Sequence, residues 1–374
     1  MFSKKGDKME KILEVSCNGL TNGGVQQVIM NIVRNLSNDF IFDVLVFTKE
    51  KEYFDDEFLS YGGNIFRIPH KSKKNGKEID FYYRGIKIII GTYKILKNNG
   101  PYRAIHCHNY FESALCIIAA KMAGVKIRIV HSHNDLSVVK YSKTRKMLQK
   151  VYKCIINKFA TKKVGCSQAA LKYLFGNRND GIVINNAIDL EKFNVEKLSI
   201  EPTNSKGLRL LHVGNFSSQK NQTFLIEIAA KLKRNKFPFN LTLVGGKTPY
   251  LDIVKELIRK YELEKEINIL PQDSNIPYEM YNADLFLFPS KYEGLGIVLI
   301  EAQAVGLHCL VSDAIPPEAD LGNIEFIHSY LIDEWVDRIK ELHLYKGKKK
   351  FVDMSTYDIK NIIKIYKNLY NEKI

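Results

Sequence analysis

The sequence predicts an α/β protein of two doubly wound halves, each a parallel sheet flanked by helices, with a cleft between them. Three observations carry that expectation. Strand-like apolar runs alternate with helix-period segments along most of the chain. At 374 residues the chain has room for two domains of ordinary size. A polar stretch at 196–206, holding Pro202 and little periodicity, reads as the linker between them.

In the first half, the run Glu10-Lys11-Ile12-Leu13-Glu14-Val15 starts a strand over 11–17. The helix expected over 24–37 carries Val25, Val28, Ile29, Ile32, Val33 and Leu36, the spacing of one apolar face. Further strands are expected near 41–47, 64–68, 103–107, 126–131, 162–166 and 182–184, and helices near 54–61, 80–98, 111–123, 141–160 and 167–174. The second half opens with Leu208-Arg209-Leu210-Leu211-His212-Val213, and its further strands fall near 240–244, 267–270, 284–288, 308–311 and 325–327. Of these, Leu285-Phe286-Leu287-Phe288 is apolar throughout, as a strand buried on both faces must be, and it stops at Pro289. Helices are expected near 220–235, 250–261, 277–281, 296–305 and 330–344, with a last one over 357–370.

Composition narrows the function classes. An apolar fraction of 45% supplies two cores, and no run reaches the length of a membrane span. Residues 1–9 are basic but lack the apolar centre of a signal peptide, so the chain is expected to stay in the cytoplasm. Six scattered cysteines (17, 107, 116, 154, 166 and 309) without a C-x-x-C pair read as reduced thiols. The net charge of +15 is unevenly spread: residues 1–190 hold 31 basic against 16 acidic side chains, residues 191–374 hold 25 of each. Such asymmetry implies an anionic partner for the first half only, a membrane surface or a polyanion. Residues 138–163 contain nine Lys or Arg and no acid, interleaved with Tyr141, Met147, Leu148, Val151, Tyr152, Ile155, Ile156 and Phe159. A helix packing its apolar face inward and solvating its lysines accounts for most of that pattern; attraction to anionic lipid would add to it. Residues 80–97, with Phe81, Tyr82, Tyr83 and Ile86 among basic side chains, form a second such segment. No nucleic-acid-binding motif accompanies the charge, so nucleic acid is not expected as a partner.

The segment Glu293-Gly294-Leu295-Gly296-Ile297-Val298-Leu299-Ile300-Glu301 carries the most chemistry. It places Glu293 in the loop at a strand's carboxyl end and Glu301 more than a turn into the next helix. In an open α/β sheet ligands bind at that edge. Glycines let backbone N–H groups approach an anion, and carboxylates accept hydrogen bonds from vicinal hydroxyls. Gly214-Asn215-Phe216-Ser217-Ser218-Gln219-Lys220-Asn221 after the strand at 208–213 offers a glycine turn and a lysine at a helix head. Alone it is equally an ordinary turn with a solvated lysine, and Gly245-Gly246-Lys247 is weaker still. Gly23 and Gly24 permit close backbone approach, but the pattern is not G-x-G-x-x-G, which argues against a dinucleotide enzyme. His106-Cys107-His108 and His131-Ser132-His133 each put two imidazoles on one strand face. Zinc is conceivable there, yet no thiol pair or metalloprotease arrangement supports it; one histidine of each pair is expected in the core and the later one facing the cleft. No Asp-x-Asp triplet occurs, so no metal is assigned.

With these residues in place, the chain resembles the family 4 retaining glycosyltransferases of the GT-B fold over nearly its whole length. The Glu293…Glu301 element is the family hallmark. Gly23-Gly24, His133, Gly214…Lys220 and Asn186-Ala187-Ile188-Asp189 also match, and the His-Ser-His run is similar to enzymes that assemble capsule or exopolysaccharide repeat units. The resemblance implies an acceptor domain over 1–190, a nucleotide-sugar domain over 191–355, and a last helix, 356–374, returning to the first. It implies that Glu301 holds ribose hydroxyls and Glu293 a sugar hydroxyl. Gly294, Leu295, Gly296 and Ile297 would offer contacts to the sugar and diphosphate, with Gly214, Asn215 and Gly246 beside them. Lys220 would neutralise the leaving phosphate, His133 would contact the sugar, and Gly23 or Gly24 would border the diphosphate and acceptor. Lys220, Glu293 and His133 are thus the expected catalytic set. The implied donor is a nucleotide-sugar, uridine diphosphate sugars first, and the implied acceptor a lipid-linked glycan at the inner face of the membrane; no cofactor or metal is expected. Asn215 departs from the family, which has Arg there and so a bidentate phosphate contact. A nucleotide-sugar epimerase of similar architecture and a non-catalytic sugar-nucleotide-binding relative remain as other readings.

Overall fold

The structure, a computed structural model, describes residues 9–16, 19–69, 78–133, 141–177, 180–197 and 207–372. Cys17, residues 138–140 of the basic run and residues 198–206 of the expected linker lie outside them, as do the side chains of Phe81, Tyr82 and Tyr83. The chain divides into two compact units, residues 1–187 together with 359–374, and residues 188–358. The sequence places that division at 190.

Unit 1 contains β1 (Glu10–Ser16), α1 (Gly24–Leu36), β2 (Phe40–Val46), α2 (Asp55–Ser60), β3 (Ile65–Arg67), α3 (Glu78–Asn99), β4 (Tyr102–Cys107), α4 (Ser113–Ala123), β5 (Ile127–Ser132), α5 (Lys143–Phe159), β6 (Lys162–Gly165), α6 (Gln168–Phe175) and β7 (Ile182–Val183). Its sheet is parallel in the order β3-β2-β1-β4-β5-β6-β7. Unit 2 follows with β8 (Leu208–Val213), α7 (Gln222–Arg234), β9 (Phe239–Val244), α8 (Pro249–Lys260), β10 (Ile267–Leu270), α9 (Ile276–Asn282), β11 (Leu285–Phe288), α10 (Ile297–Ala304), β12 (Cys309–Ser312), β13 (Ile324–Ile327) and α11 (Ile332–Leu342). Its parallel sheet runs β10-β9-β8-β11-β12-β13. The last helix, α12 (Ile359–Asn371), belongs to unit 1.

Strand alternation sorts the sheet of unit 1 into two cores. In unit 1, Ile12, Val44, Ala104, Ile129 and Val164 point to the side covered by α1 and α12, where Ile362, Tyr366 and Leu369 meet them. Leu13, Val15, Ile105, Cys107 and Val130 point the other way, onto residues of α3, α4, α5 and α6. In unit 2, Leu208, Leu210, Leu241, Leu285 and Leu287 pack beneath Leu225, Val254, Trp335 and Ile339 of α7, α8 and α11. Both sheets reverse direction beside their first strand, at β1/β4 and at β8/β11. In open α/β sheets ligands bind beyond the strands' carboxyl ends at such a reversal of strand order.

Candidate active site

In unit 2, β8 and β11 are neighbours, pairing Leu210 with Leu285 and Leu211 with Phe286, so the loops that follow them leave the sheet side by side. Hydrogen bonds stitch those loops together. Gln219 accepts at its backbone oxygen from the Lys291 N–H at 2.8 Å, and its side chain donates to the Tyr292 carbonyl at 2.9 Å. Asn221 Nδ2 donates to the Pro289 carbonyl at 3.3 Å. Lys220 is not at a helix head as the sequence suggests. It lies in a turn closed by Asn221, whose φ of 59° stops the helix from beginning before Gln222. From that turn its stem crosses the face of Gly214, where a β-carbon would come within 3.3 Å of Lys220 Cδ and Cε.

The ammonium of Lys220 lies 2.6 Å from Glu293 Oε1 and 4.5 Å from the centre of the Phe288 ring. The carboxylate is nearly buried, at 8% exposure, and the lysine is 19% exposed. Glu293 leads into Gly294, the buried Leu295 and Gly296, and Gly296 takes φ +75° to start α10. As a glycine, Gly296 brings no capping side chain to that start, where the first N–H groups carry the positive end of the helix dipole. Ile297 opens α10, and Glu301 follows on its second turn. Burial pushes the Glu301 carboxyl up to about 7, with Lys192 opposing the shift.

The neighbouring loop after β9 is held at backbone distance. A β-carbon at Gly245 would fall 2.4 Å from the Gly214 carbonyl oxygen. Asn215 Oδ1 accepts from the Gly246 N–H at 3.3 Å, while Gln222 Nε2 donates to the carbonyls of Gly214 and Asn215 at 3.2 Å each. Asn215 therefore braces two loops where the family pattern has a guanidinium. The structure gathers Gly214, Asn215, Lys220, Gly246, Glu293, Gly294, Leu295, Gly296, Ile297 and Glu301 on the loops and helix starts of this one sheet edge.

Unit 1 carries the other expected residues. Gly23 caps α1 with extended backbone (φ −113°), and beside Gly24 a β-carbon would meet nothing within 4 Å, so the helix start is open to close approach. The histidines differ from expectation. His106, His108, His131 and His133 are all buried, none more than 4% exposed. Residues two apart share a face, and here both pairs lie on the face that α12 covers. His133 Nε2 sits 2.7 Å from His108 Nδ1, and His108 Nε2 sits 2.8 Å from Glu14 Oε2. Tyr370 of α12 places its hydroxyl 2.9 Å from Glu14 Oε1 and 2.8 Å from His106 Nδ1. Burial alone would raise the Glu14 carboxyl, but His106 and His108 hold it below the usual carboxylate range. Burial, reinforced by the neighbouring imidazoles, pushes His131 and His133 well below the ordinary histidine value. Sequence reasoning missed Glu14 and Tyr370: a lone acid in an apolar strand and a tyrosine in a distant helix give no local signal.

Comparison with known proteins follows the same division. A model described as Glycosyltransferase Family 4 matches residues 22–192, and one described as Glycosyl transferases group 1 matches residues 195–357. EpsF of Bacillus subtilis, named a glycosyltransferase, is 32% identical over 84% of this chain and 82% of its own length. The chain belongs to the family 4 glycosyltransferases. CapH of Staphylococcus aureus, a capsular polysaccharide biosynthesis glycosyltransferase, is 28% identical over 95% of this chain and 97% of its own. An Escherichia coli α-1,3-galactosyltransferase, named for a UDP-Gal donor and a diphosphoundecaprenol-linked acceptor, is 27% identical over 78% of this chain and 76% of its own. Among solved structures, HepE of Anabaena in complex with UDP and glucose superposes with a TM-score of 0.74 at 18% identity, covering 97% of this chain and all of that one. This glycosyltransferase accordingly has the GT-B fold, two Rossmann-like domains. Among its described residues no helix is long and apolar enough to cross a membrane.

Proposed function

We propose that this glycosyltransferase moves a hexose or N-acetylhexosamine, with retention of anomeric configuration, from a nucleotide-sugar to a lipid-linked or polysaccharide acceptor in capsule or exopolysaccharide assembly. The observation that carries the reading is the Lys220–Glu293 pair, 2.6 Å apart beside the start of α10. A cation, a carboxylate and a helix start converge where a donor diphosphate and its sugar need an anion site next to a hydroxyl acceptor. Uridine diphosphate sugars are the first candidates, since HepE was crystallised with UDP and the E. coli relative is named for UDP-Gal.

In this reading Glu301 accepts from the ribose hydroxyls and Glu293 from a sugar hydroxyl, and Gly214, Asn215 and Gly246 line the diphosphate. Donor binding swings Lys220 from Glu293 toward phosphate. The bond from the anomeric carbon to the phosphate oxygen breaks as Lys220 and the start of α10 stabilise the departing charge. The acceptor oxygen attacks from the side the nucleotide leaves, and its proton passes to a departing phosphate oxygen. Glu293 grips a peripheral hydroxyl and forms no covalent intermediate. No metal is needed at this site, because the cation and helix dipole supply the positive charge. In unit 1, Gly23 and Gly24 contribute to the acceptor's surroundings.

The acceptor reading draws on the basic surface of unit 1. On α5, Lys143, Lys146, Met147, Lys150 and Val151 are exposed, and on α3 Ile86, Lys87, Ile90 and Lys94 are exposed. Cations interleaved with exposed apolar side chains suit an anionic bilayer. The deciding experiment incubates the protein with a panel of nucleotide-sugars, with and without undecaprenyl-diphosphate-linked sugar, and reads nucleotide release and the anomeric configuration of the product. Acceptor-dependent release with an α-linked product from an α-linked donor is expected. Epimerised free donor without acceptor, or donor binding with no turnover under any condition, would overturn the proposal.

A further inference from the structure

The imidazole cluster of unit 1 is buried and leaves several ring nitrogens without a partner among the described residues. Its hydrogen bonds fix the tautomers. Glu14 is an acceptor on both oxygens, so the Tyr370 hydroxyl donates to Oε1 and His108 donates its Nε2–H to Oε2. Tyr370 then has only its oxygen lone pairs for His106, which must donate from Nδ1. A neutral His106 is left with a bare lone pair on Nε2, while the Nδ1 lone pair of a neutral His108 accepts from His133 Nε2–H at 2.7 Å. His106 Nε2 and both ring nitrogens of His131 are fully buried without a hydrogen-bond partner among the described residues. The protons of His133, His108, His106 and Tyr370 run toward Glu14, while His131 keeps one N–H and one lone pair without a partner among the described residues.

Strand register explains why the rings converge. Glu14 on β1 pairs with His106 on β4, and His106 pairs with Ile129 on β5, so His108 and His131 are brought level across adjacent strands. The His106 and His131 rings stack at 5.5 Å, and the His131 and His133 centroids are 4.0 Å apart. One nitrogen from each of His106, His108 and His131 falls within 4.8 Å of the others. A tetrahedral zinc ion needs donor nitrogens about 3.3 Å apart, given Zn–N bonds of about 2.0–2.1 Å, so modest ring rotations close the set.

We propose that His106, His108 and His131 bind one zinc-class divalent cation in unit 1, separate from the donor site of unit 2, with Glu14 and Tyr370 as the groups that orient the ligands. All-imidazole donors select zinc, copper, nickel or iron over magnesium or calcium. A carboxylate on the remote nitrogen of a ligating histidine is the usual means of fixing its tautomer. The Glu14 charge also offsets part of the dication's. His133 is the neighbour available for a fourth position. Such an ion ties β1, β4, β5 and, through Tyr370, α12 into one unit.

The test uses untagged full-length protein, stripped with a chelator and dialysed, then titrated with zinc against a chromophoric competitor. One equivalent bound per chain and a raised melting temperature are expected. The His106→Gln/His131→Gln double variant should lose that equivalent, while His328→Gln, altered at an exposed site, keeps it. Failure of the stripped wild type to compete for zinc, or equal uptake by the double variant, would overturn the proposal. Should the double variant fail a circular-dichroism check of folding, X-ray absorption on the zinc-loaded wild type decides. An imidazole shell at about 2.0–2.1 Å supports the site, and a sulfur or water-only shell refutes it.

Discussion

Lys220 and Glu293 are each partly withdrawn from water, so each depends on the other for its countercharge. Removing one leaves the other exposed to a desolvation cost that the pair avoids. Glu293→Gln and Lys220→Ala are each expected to lower the transfer kcat/KM by about 10²–10³-fold, the range for losing one preorganised electrostatic contact. The double variant should cost less than the product of the two, since one side chain positions the other; steady-state transfer assays check both statements. Glu301 gives a separate signature. Its folded value of about 7 lies above the ordinary carboxyl value of 4.5, so the folded state holds an extra proton between those limits. The stability this proton contributes is complete below pH 4.5 and is lost as pH rises through about 7. Thermal scans of the protein without donor should therefore fall across that window, and Glu301→Gln should flatten that part of the fall. Donor affinity should move oppositely, tightening as the carboxylate ionises near pH 7, and calorimetry at pH 6 and pH 8 reads it. These carboxylates were legible because the Glu-x7-Glu spacing joins a loop to a helix. The burial that perturbs Glu301 was not, since it comes from packing around α10 and the turn at Leu190–Phe193.

At the scale of elements, the alternation of strands and helices was readable because buried parallel strands are apolar throughout and the helices are not. Local chemistry shifted the details. The helix expected from residue 220 begins at Gln222, because Asn221 takes a left-handed backbone that no apolar period reveals. Both histidine pairs are buried because α12 lies over their face, a covering supplied by residues more than two hundred positions away. Two predictions belong here. Gly245→Ala puts a carbon 2.4 Å from a backbone oxygen that cannot step aside, so it should lower the melting temperature and weaken donor binding together. On α5, reversing Lys146 and Lys150 to Glu should weaken binding to anionic vesicles by about 1 kcal/mol or more per residue and leave neutral vesicles and thermal stability unaffected. Equal sedimentation of variant and parent with anionic vesicles would remove α5 from the membrane contact.

For the whole molecule, chain length and the polar stretch at 196–206 gave the number of units, and strand-by-strand pattern gave their class. Strand order was not in the sequence; it follows from right-handed crossovers packing helices on both faces of each sheet. Unit 2 is continuous in sequence, whereas unit 1 is closed only by residues 359–374. Tyr366, Leu369 and Tyr370 fill its core, and Arg103 donates to the carbonyls of Tyr370 and Asn371. Deleting residues 359–374 should lower the unfolding temperature of unit 1 while unit 2 melts unchanged, which calorimetry of the full and shortened chains can separate.

That late closure sets a timetable for synthesis. At about 5–20 residues per second, the ribosome spends roughly ten to thirty seconds making residues 188–358 after unit 1's strands have emerged. Throughout that interval Phe42, Ala104 and Ile129 have no α12 to cover them, and Glu14 has no Tyr370. The half of the protein made first is thus the half finished last, and the nascent chain presents a greasy, histidine-lined face to chaperones until its final helix arrives.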